Sequence, residues 1–175
     1  MLSNKIVLVD RQDIECGTME KLEAHQKGLL HRAFSVFIFN NDNELLIHQR
    51  NFLKYHSGGL WSNTCCGHPR PNENVEAAAF RRLEEEMGFT CVLEKEFDFI
   101  YKATFGNGLI EHEFDHVFSG VYNKNPIPNI DEVSDYKWIN WEDLLIDVEI
   151  NPEKYTFWFK KCLSKFNENK LISKY

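Results

Sequence analysis

The segment from Asn74 to Gly88 constrains the fold of this chain more than any other. It is rich in alanine, glutamate, arginine and leucine, it follows Pro71-Asn72, and its last residue is a glycine of the kind found just past a helix C-terminus. We therefore predict a helix over Asn74 to Met87. At ~100° per residue its apolar residues form one stripe, which other parts of the chain must cover. The stripe consists of Val75, Ala79, Leu83 and Met87.

Glu86 is the unusual residue of this predicted helix. It follows Val75 by about three turns and therefore points to the covered side. A carboxylate in that position needs a partner, because burying a bare charge is costly. One candidate partner is Arg82, one turn earlier, and the other is a metal cation. Taken alone, the helix favours the ion pair, since structural ion pairs are commoner than metal sites.

The loop before the helix carries reactive groups, and its spacing favours a metal cation over the ion pair as the partner of Glu86. The run Cys65-Cys66-Gly67-His68-Pro69 supplies thiols and an imidazole. The spacing that follows it resembles the Nudix box, a loop-helix-loop that holds a divalent cation against a diphosphate. One position departs from the box, because Arg82 stands where Nudix hydrolases carry a glutamate. The residues that match the spacing are Gly67, Glu73, Arg81, Glu85, Glu86 and Gly88.

The remaining chain alternates between strand and helix patterns. Turn composition at Asn40 to Glu44 and at Gly106-Asn107-Gly108 predicts two hairpins. The order of elements indicates an α/β protein, and the Nudix resemblance implies an α/β/α sandwich with a mixed β-sheet. We predict strands over Lys5 to Asp10, Ala33 to Phe39, Leu45 to Arg50, Phe97 to Thr104, Leu109 to Val121 and Val133 to Asn140. We predict further helices that start at Thr18 as N-cap and that cover Trp141 to Leu145 and Pro152 to Phe166.

Length and composition limit the possible functions. With 175 residues, 43% of them hydrophobic, the chain suits one domain over residues 1–175. Its net charge of −7 argues against nucleic acid as a partner. The start at Met1 to Lys5 resembles neither a signal nor a transit peptide, and no apolar run could cross a membrane. We expect a cytoplasmic monomer or weak dimer whose five cysteines are reduced.

A second acidic cluster lies at Glu111-His112-Glu113, on a predicted strand. Alternation along a strand places the two glutamates on one face and His112 on the other. Two carboxylates so close repel, and a divalent cation between them removes that penalty. An exposed acidic strand face explains the same residues equally well when they are considered alone.

Cys66-Gly67-His68-Pro69 and Glu111-His112-Glu113 together resemble the type I isopentenyl-diphosphate isomerases, a branch of the Nudix superfamily. The resemblance extends over roughly residues 5 to 165. It implies interconversion of isopentenyl and dimethylallyl diphosphate in isoprenoid biosynthesis, by protonation and deprotonation through a tertiary carbocation. The other matching segments are Gly17 to Lys21, Leu30 to Ser35, Trp61 to Thr64, Tyr101 to Thr104, Asp131 to Val133, and Trp158.

The resemblance also implies a role for each matching residue. Cys66 and Glu113 would form the opposed acid-base pair, with the direction of proton transfer left open. Tyr101 would hydrogen-bond to Glu113, and Trp158 would offer a π-face to the carbocation. One tightly bound divalent metal, Mn²⁺ or Zn²⁺ by its mixed ligands, would be held by His25, His31, His68, Glu111 and Glu113.

The diphosphate requires local positive charge in this acidic chain. Lys21, Arg50, Lys54 and Arg82 are the candidate substrate-binding cations, and Glu86 would hold a Mg²⁺ that arrives with the small-molecule diphosphate. Some relatives carry serine where this chain has Gly67, so a hydroxyl contact to the diphosphate is lost there. The other histidines are interpreted as ordinary hydrogen-bonded residues; they are His48, His56, His112 and His116.

Two other functional classes compete with the isomerase. A Nudix hydrolase would cleave a nucleoside or other diphosphate with metal-activated water, but Arg82 replaces a box glutamate and Cys66 and Glu113 have no place in that chemistry. A catalytically silent, metal-stabilised binding module is the third class, and the intact acid-base pair argues against it.

Overall fold

The computed structural model describes residues 4–54 and 56–168, which form nine strands, four α-helices and one 3₁₀ turn. The single domain predicted over residues 1–175 and the predicted lack of a leader at the N-terminus both include residues outside this description, namely 1–3, 55 and 169–175. Within the described ranges, no helix is long and apolar enough to cross a membrane.

The strands are β1 (Lys5–Val9), β2 (Glu15–Glu20), β3 (His31–Phe39), β4 (Glu44–Arg50), β5 (Trp61–Ser62), β6 (Cys65–Gly67), β7 (Leu93–Thr104), β8 (Ile110–Val121) and β9 (Val133–Asn140). The helices are α1 (Lys21–Lys27), α2 (Val75–Met87), α3 (Trp141–Ile150) and α4 (Phe157–Glu168), and the 3₁₀ turn is Pro152–Lys154.

Strand β3 is the centre of the sheet. It pairs in parallel with β8 over its whole length, from His31 opposite Glu113 to Phe39 opposite Val121. Its other edge pairs antiparallel with β1, β6 and β4 in turn. The sheet is therefore mixed, as predicted, and β3 is nearly continuously apolar because both of its faces are covered.

Helices cover the sheet on both faces, which confirms the α/β/α sandwich. Phe37 and Phe39 of β3 pack with residues of α3 and α4 in one core. Val36 and Ile38, which point the opposite way, pack with the apolar stripe of α2 in a second core. The alternation along one strand thus separates two cores that have different neighbours.

The prediction that a helix starts at Thr18 is wrong. Thr18 lies in β2, opposite Val7 of β1, and the helix begins at Lys21 after the cap position Glu20. Pairing with β1 satisfies the backbone of this segment and overrides the local capping signal of a threonine.

Two other predictions differ from the structure in extent. The first hairpin is confirmed at its turn, where β3 and β4 pair antiparallel with Phe39 opposite Leu45, but most of β4 pairs with β9. The predicted helix over Pro152 to Phe166 is interrupted, because Thr156 donates its backbone N–H to the carbonyl of Trp61 and so leaves the helical hydrogen-bond ladder. Both differences arise from contacts with distant segments, which local patterns do not encode. The second hairpin, β7 with β8, is confirmed.

Both ends of α2 are capped by residues of its own segment. The Asn74 side chain accepts hydrogen bonds from the backbone of Glu76 and Ala77, and Gly88 ends the helix with a left-handed backbone at φ 75°. A β-carbon at Gly88 would also collide with the carbonyl oxygen of Ile127. Glycine is therefore required there for conformation and for space.

Gly88→Ala should lower the free energy of unfolding by about 1–3 kcal/mol, because both the left-handed backbone and the contact with Ile127 become strained. Urea unfolding followed by circular dichroism measures the change. Gly106→Ala is the matched control, since a β-carbon there meets no atom within 4 Å, and it should change stability much less. Equal losses in the two variants would contradict the assignment of Gly88 as a required cap.

Candidate active site

The pairing of β3 with its neighbours gathers the candidate residues on one face of the sheet. His31 lies opposite Glu113 in β8, and Glu113 lies opposite Tyr101 in β7. On the other edge of β3, Ser35 lies opposite Cys66 in β6. This face is the one covered by α4, so the site lies between the sheet and the final helix.

Adjacent cysteines have different surroundings because strand residues alternate between faces. Cys65 lies opposite Val36, is fully buried and packs in the α2 core. Cys66 is only partly buried and lines the cavity on the opposite face. Burial raises the pKa of the Cys66 thiol to about 12, although the nearby Arg50 cation opposes the shift. The thiol therefore keeps its proton at neutral pH.

Glu113 is at the centre of the buried polar groups. The Tyr101 hydroxyl donates to Glu113 at 2.6 Å and lies 3.2 Å from Glu111. Nε2 of His68 lies 3.0 Å from Oε1 of Glu113, and Nε2 of His31 lies 3.5 Å from the same oxygen. The predicted alternation is confirmed, because His112 points to the other face and bonds the carbonyl of Gly28.

The backbone orients two of the histidines. Nδ1 of His25 donates to the carbonyl of Lys21 at 2.7 Å, and Nδ1 of His31 donates to the carbonyl of Leu29 at 2.8 Å. A carbonyl can only accept, so each ring carries its proton on Nδ1 and its lone pair on Nε2. Burial lowers the pKa of His25 to about 4 and that of His68 to about 3. Neutral imidazoles with a fixed lone pair are what a metal ion requires.

The donor atoms converge as a metal site requires. Ligand atoms of His25, His31, His68 and Glu113 all lie within 4.8 Å of one another. Glu111, the fifth predicted ligand, forms an overlapping group with His25 and His56. Mixed imidazole and carboxylate donors suit a divalent transition metal, so these residues fit such an ion.

The two carboxylates disfavour each other's charge. Burial and the negative charge of Glu113 raise the pKa of Glu111 well above its usual range. Burial also acts to raise the pKa of Glu113, but the His31 and His68 imidazoles beside it outweigh burial and hold that pKa well below its usual value. Two negative charges on this pair are therefore unfavourable unless a cation shares the site.

Several cations line the same cavity, whose volume is about 450 Å³; among them are Lys21, Arg50, Lys54 and Arg82. Arg50 lies 5.1 Å from the centroid of the Trp158 ring and 3.9 Å from the sulfur of Cys66. Burial and the charge of Arg50 lower the pKa of Lys21. Crowded cations of this kind suit an anionic ligand, which would relieve their repulsion.

Arg82 and Glu86 form the ion pair that was one of the two alternatives for the box helix. Arg82 also contacts Glu85 at 2.8 Å and Glu132 at 3.3 Å, and Glu132 pairs with Lys54. Glu86 belongs to neither group of converging metal donors among the described residues. The box carboxylate of Glu86 is thus neutralised by Arg82 at one side of the cavity.

The box spacing has a structural purpose as well. Arg81 donates from Nε and Nη2 to both oxygens of Glu73, at 2.7 and 2.9 Å, and Glu73 accepts from the backbone N–H of Arg70. These bonds hold the loop after His68 against α2 and so position the imidazole beside Glu113.

Comparison with known proteins identifies the family. The NUDIX domain family matches residues 29–159. The isopentenyl-diphosphate Delta-isomerase 2 of Aromatoleum aromaticum is 51% identical over 94% of this chain and 87% of its own length. The protein of the same name from Photorhabdus laumondii is 55% identical over 91% and 90%. This chain belongs to the isopentenyl-diphosphate Delta-isomerase family within the NUDIX superfamily.

Solved structures agree with the fold. A protein of Deinococcus radiodurans superposes with a TM-score of 0.70 at 18% identity, covering 84% of this chain and 90% of that one. A MutT protein of Methanosarcina mazei superposes with a TM-score of 0.67 at 20% identity, covering 81% and 95%. At these identities the likeness concerns the fold alone.

In this isomerase-family chain every predicted site residue lines the cavity except His25 and His31, whose donor atoms converge with those of His68 and Glu113. The structure adds one residue that the sequence analysis missed. His56, interpreted there as an ordinary polar residue, is buried with its Nε2 3.5 Å from Glu111. Its ring stacks on Phe105 at 5.4 Å and meets Trp158 edge-on at 6.0 Å. It follows β4 in an irregular segment, where no periodicity indicates which way a side chain points. The one available signal was its position between the candidate cation Lys54 and the Trp61 motif.

Proposed function

We propose that this protein interconverts isopentenyl diphosphate and dimethylallyl diphosphate. The observation that carries the proposal is that Cys66 and Glu113, from strands on opposite edges of β3, line one cavity together with Trp158. The relatives named isopentenyl-diphosphate Delta-isomerase share about half of their residues with this chain over most of its length.

The reaction needs one proton added and another removed. Protonation of the terminal carbon of the double bond leaves a tertiary cation, and loss of a proton from the carbon on its other side forms the new double bond. Cys66 and Glu113 are the groups that we assign to these two transfers. Because the reaction is reversible, their roles exchange between the two directions. Tyr101 holds the Glu113 carboxylate in place through its 2.6 Å hydrogen bond.

A carbocation must be kept from water and stabilised. Trp158 and Tyr101 are buried walls of the cavity, at 4% and 6% exposure. The Trp158 ring already contacts the Arg50 guanidinium, so its face is able to receive positive charge. We assign the stabilisation of the cation to this ring.

Lys21, Arg50, Lys54 and Arg82 are the groups that we assign to the diphosphate, since all four line the same cavity. Two of them are neutralised by Glu132 and Glu86 in the structure. Substrate binding would therefore separate ion pairs, and we assign to Glu86 a Mg²⁺ that arrives with the diphosphate.

We assign a tightly bound divalent metal, Mn²⁺ or Zn²⁺, to His25, His31, His68, Glu111 and Glu113. When bound, it would withdraw charge from the Glu113 carboxylate and so make a proton delivered there more acidic. It would also remove the repulsion between Glu111 and Glu113. The convergence of four of these donors within 4.8 Å supports the assignment.

We also propose that the enzyme is a single domain that works in the cytoplasm as a monomer or weak dimer, with neither nucleic acid nor membrane as partner. All five cysteines are free, which suits a reducing compartment. Every assigned residue comes from one chain, so the site needs no second copy. The net charge of −7 disfavours binding to phosphate backbones.

Incubation of the purified enzyme with isopentenyl diphosphate and Mg²⁺ in D₂O tests the activity. We expect an allylic product that carries deuterium, observed by NMR. Cys66→Ala should reduce the rate by about 10²–10⁴-fold, because a proton-transfer group is lost. Cys65→Ala is the matched control and should keep most of the activity. Release of inorganic phosphate or of a monophosphate without rearrangement would contradict the proposal, as would a Cys66→Ala variant with more than a few per cent of the activity.

Metal retention tests the assigned centre. After gel filtration, elemental analysis should find about one divalent transition metal per wild-type chain, whereas His25→Ala should retain much less, because one of the converging donors is removed. His112→Ala, on the opposite face of β8, should retain the wild-type content. Active wild-type protein without tightly bound metal would refute the assignment.

The role of Trp158 is tested by a pair of substitutions. Trp158→Phe keeps a π-face and should retain part of the turnover, while Trp158→Leu should lose about tenfold more, since the cation–π interaction contributes up to about 2 kcal/mol when desolvated. The loss should appear in kcat more than in KM, because the charge exists only near the transition state. Equal turnover in the two variants would leave Trp158 as a packing residue.

A further inference from the structure

We propose that His56 is a sixth protein ligand of the metal centre, so that the donor set is four imidazoles and two carboxylates. The inference rests on the metal centre of the proposed function and extends it to a residue that the family resemblance left among the ordinary histidines. It follows from the position of the His56 ring, from the distance between its donor nitrogen and Glu111, and from the membership of His25 in both groups of converging donors.

The donor spacing of His56 matches that of the assigned ligands. Nε2 of His56 is 3.5 Å from Oε1 of Glu111, the same distance that separates Nε2 of His31 from Oε1 of Glu113. Two donors about 2.1 Å from one ion are about 3 Å apart when they occupy neighbouring corners of an octahedron. Both pairs are therefore spaced as neighbouring ligands with room for small adjustments.

The ring positions agree with the donor spacing. The ring centroids of His25 and His56 are 6.0 Å apart, close to the 5.7 Å between His25 and His68. Two imidazoles bound to one ion through nitrogens about 2.1 Å away have centroids at most about 6.5 Å apart. His56 is also as enclosed as a ligand should be, with a side chain 6% exposed.

His25 joins the two groups of donors into one centre. The ligand atoms of His25, His56 and Glu111 lie within 4.8 Å of one another, as do those of His25, His31, His68 and Glu113. The six donors do not all lie within that spread, so one bound ion would have to draw the two groups together. Nδ1 of His25 donates to the carbonyl of Lys21, so its one lone pair is on Nε2. A single lone pair binds a single ion, and the two groups therefore cannot hold separate ions at the same time. Six donors on one ion give octahedral coordination, which suits Mn²⁺ or Fe²⁺ better than a tetrahedral Zn²⁺ site.

Ligation by His56 would link the metal to the diphosphate cations. The His56 carbonyl accepts from Nη2 of Arg50 at 3.4 Å, and Lys54 precedes His56 by two positions. A metal bound to the His56 ring would hold this segment in place. Arg50 and Lys54 would then be positioned by the same ion that holds Glu113.

The test counts imidazoles on the ion and does not depend on catalysis. Wild-type protein is stripped of metal, loaded with one equivalent of Co²⁺ and studied by ¹H NMR in H₂O and D₂O. Each histidine bound to Co²⁺ contributes one strongly shifted, solvent-exchangeable N–H resonance. We expect four such resonances for wild type, three for His56→Gln, and four for the control His112→Gln.

Only the resonance count separates a ligand from a residue that merely hydrogen-bonds Glu111, because loss of an outer partner also weakens metal binding by about 10–100-fold. Three resonances in the wild type, or an unchanged spectrum in His56→Gln, would overturn the proposal. The number of shifted N–H resonances in the wild type decides whether His56 binds the ion, even if His56→Gln does not fold. Wild-type protein that binds no Co²⁺ would refute the metal centre and the role of His56 with it, while the deuterium assay separately shows whether the isomerase assignment stands.

Discussion

The buried carboxylate of Glu113 is the constraint on which the rest of the site depends. A charge enclosed between strands is unfavourable unless several donors or a cation compensate it. The parallel register of β3 and β8 supplies His31, the antiparallel register of β7 and β8 supplies Tyr101, and the box loop supplies His68. One carboxylate thus requires four segments of the chain to meet at one point.

That requirement explains why structural and chemical roles overlap in this protein. The Arg81–Glu73 bonds stabilise the box loop and at the same time fix the position of the loop that carries His68. The pleat that buries Cys65 in the α2 core presents Cys66 to the cavity. Although the chain is acidic overall, Lys21, Arg50, Lys54 and Arg82 all line this cavity, where local fields matter more than net charge for recognition of an anion.

Sequence patterns predicted elements well where local interactions decide them. The helix α2 has its cap residues, apolar stripe and terminal glycine within fifteen residues, and it forms as predicted. Thr18 and Thr156 show the opposite case, because pairing with β1 and a bond to Trp61 decide their backbone conformations. For the site, resemblance to the family named the candidate residues, since no periodicity relates His25 to Glu113.

Resemblance to the Nudix family implied the sandwich class, whereas the sequence by itself determined the box helix, the faces of Glu111 and Glu113, and the types of reactive group available. These follow from short-range periodicity and spacing, which act along the chain. Only the tertiary structure decided that Glu86 is paired with Arg82, that Cys66 rather than Cys65 reaches the cavity, and that His56 joins the converging donors. The physical reason is that strand pairing and loop placement bring together residues far apart in sequence, and the free energy of those contacts depends on distances that the order of residues does not contain.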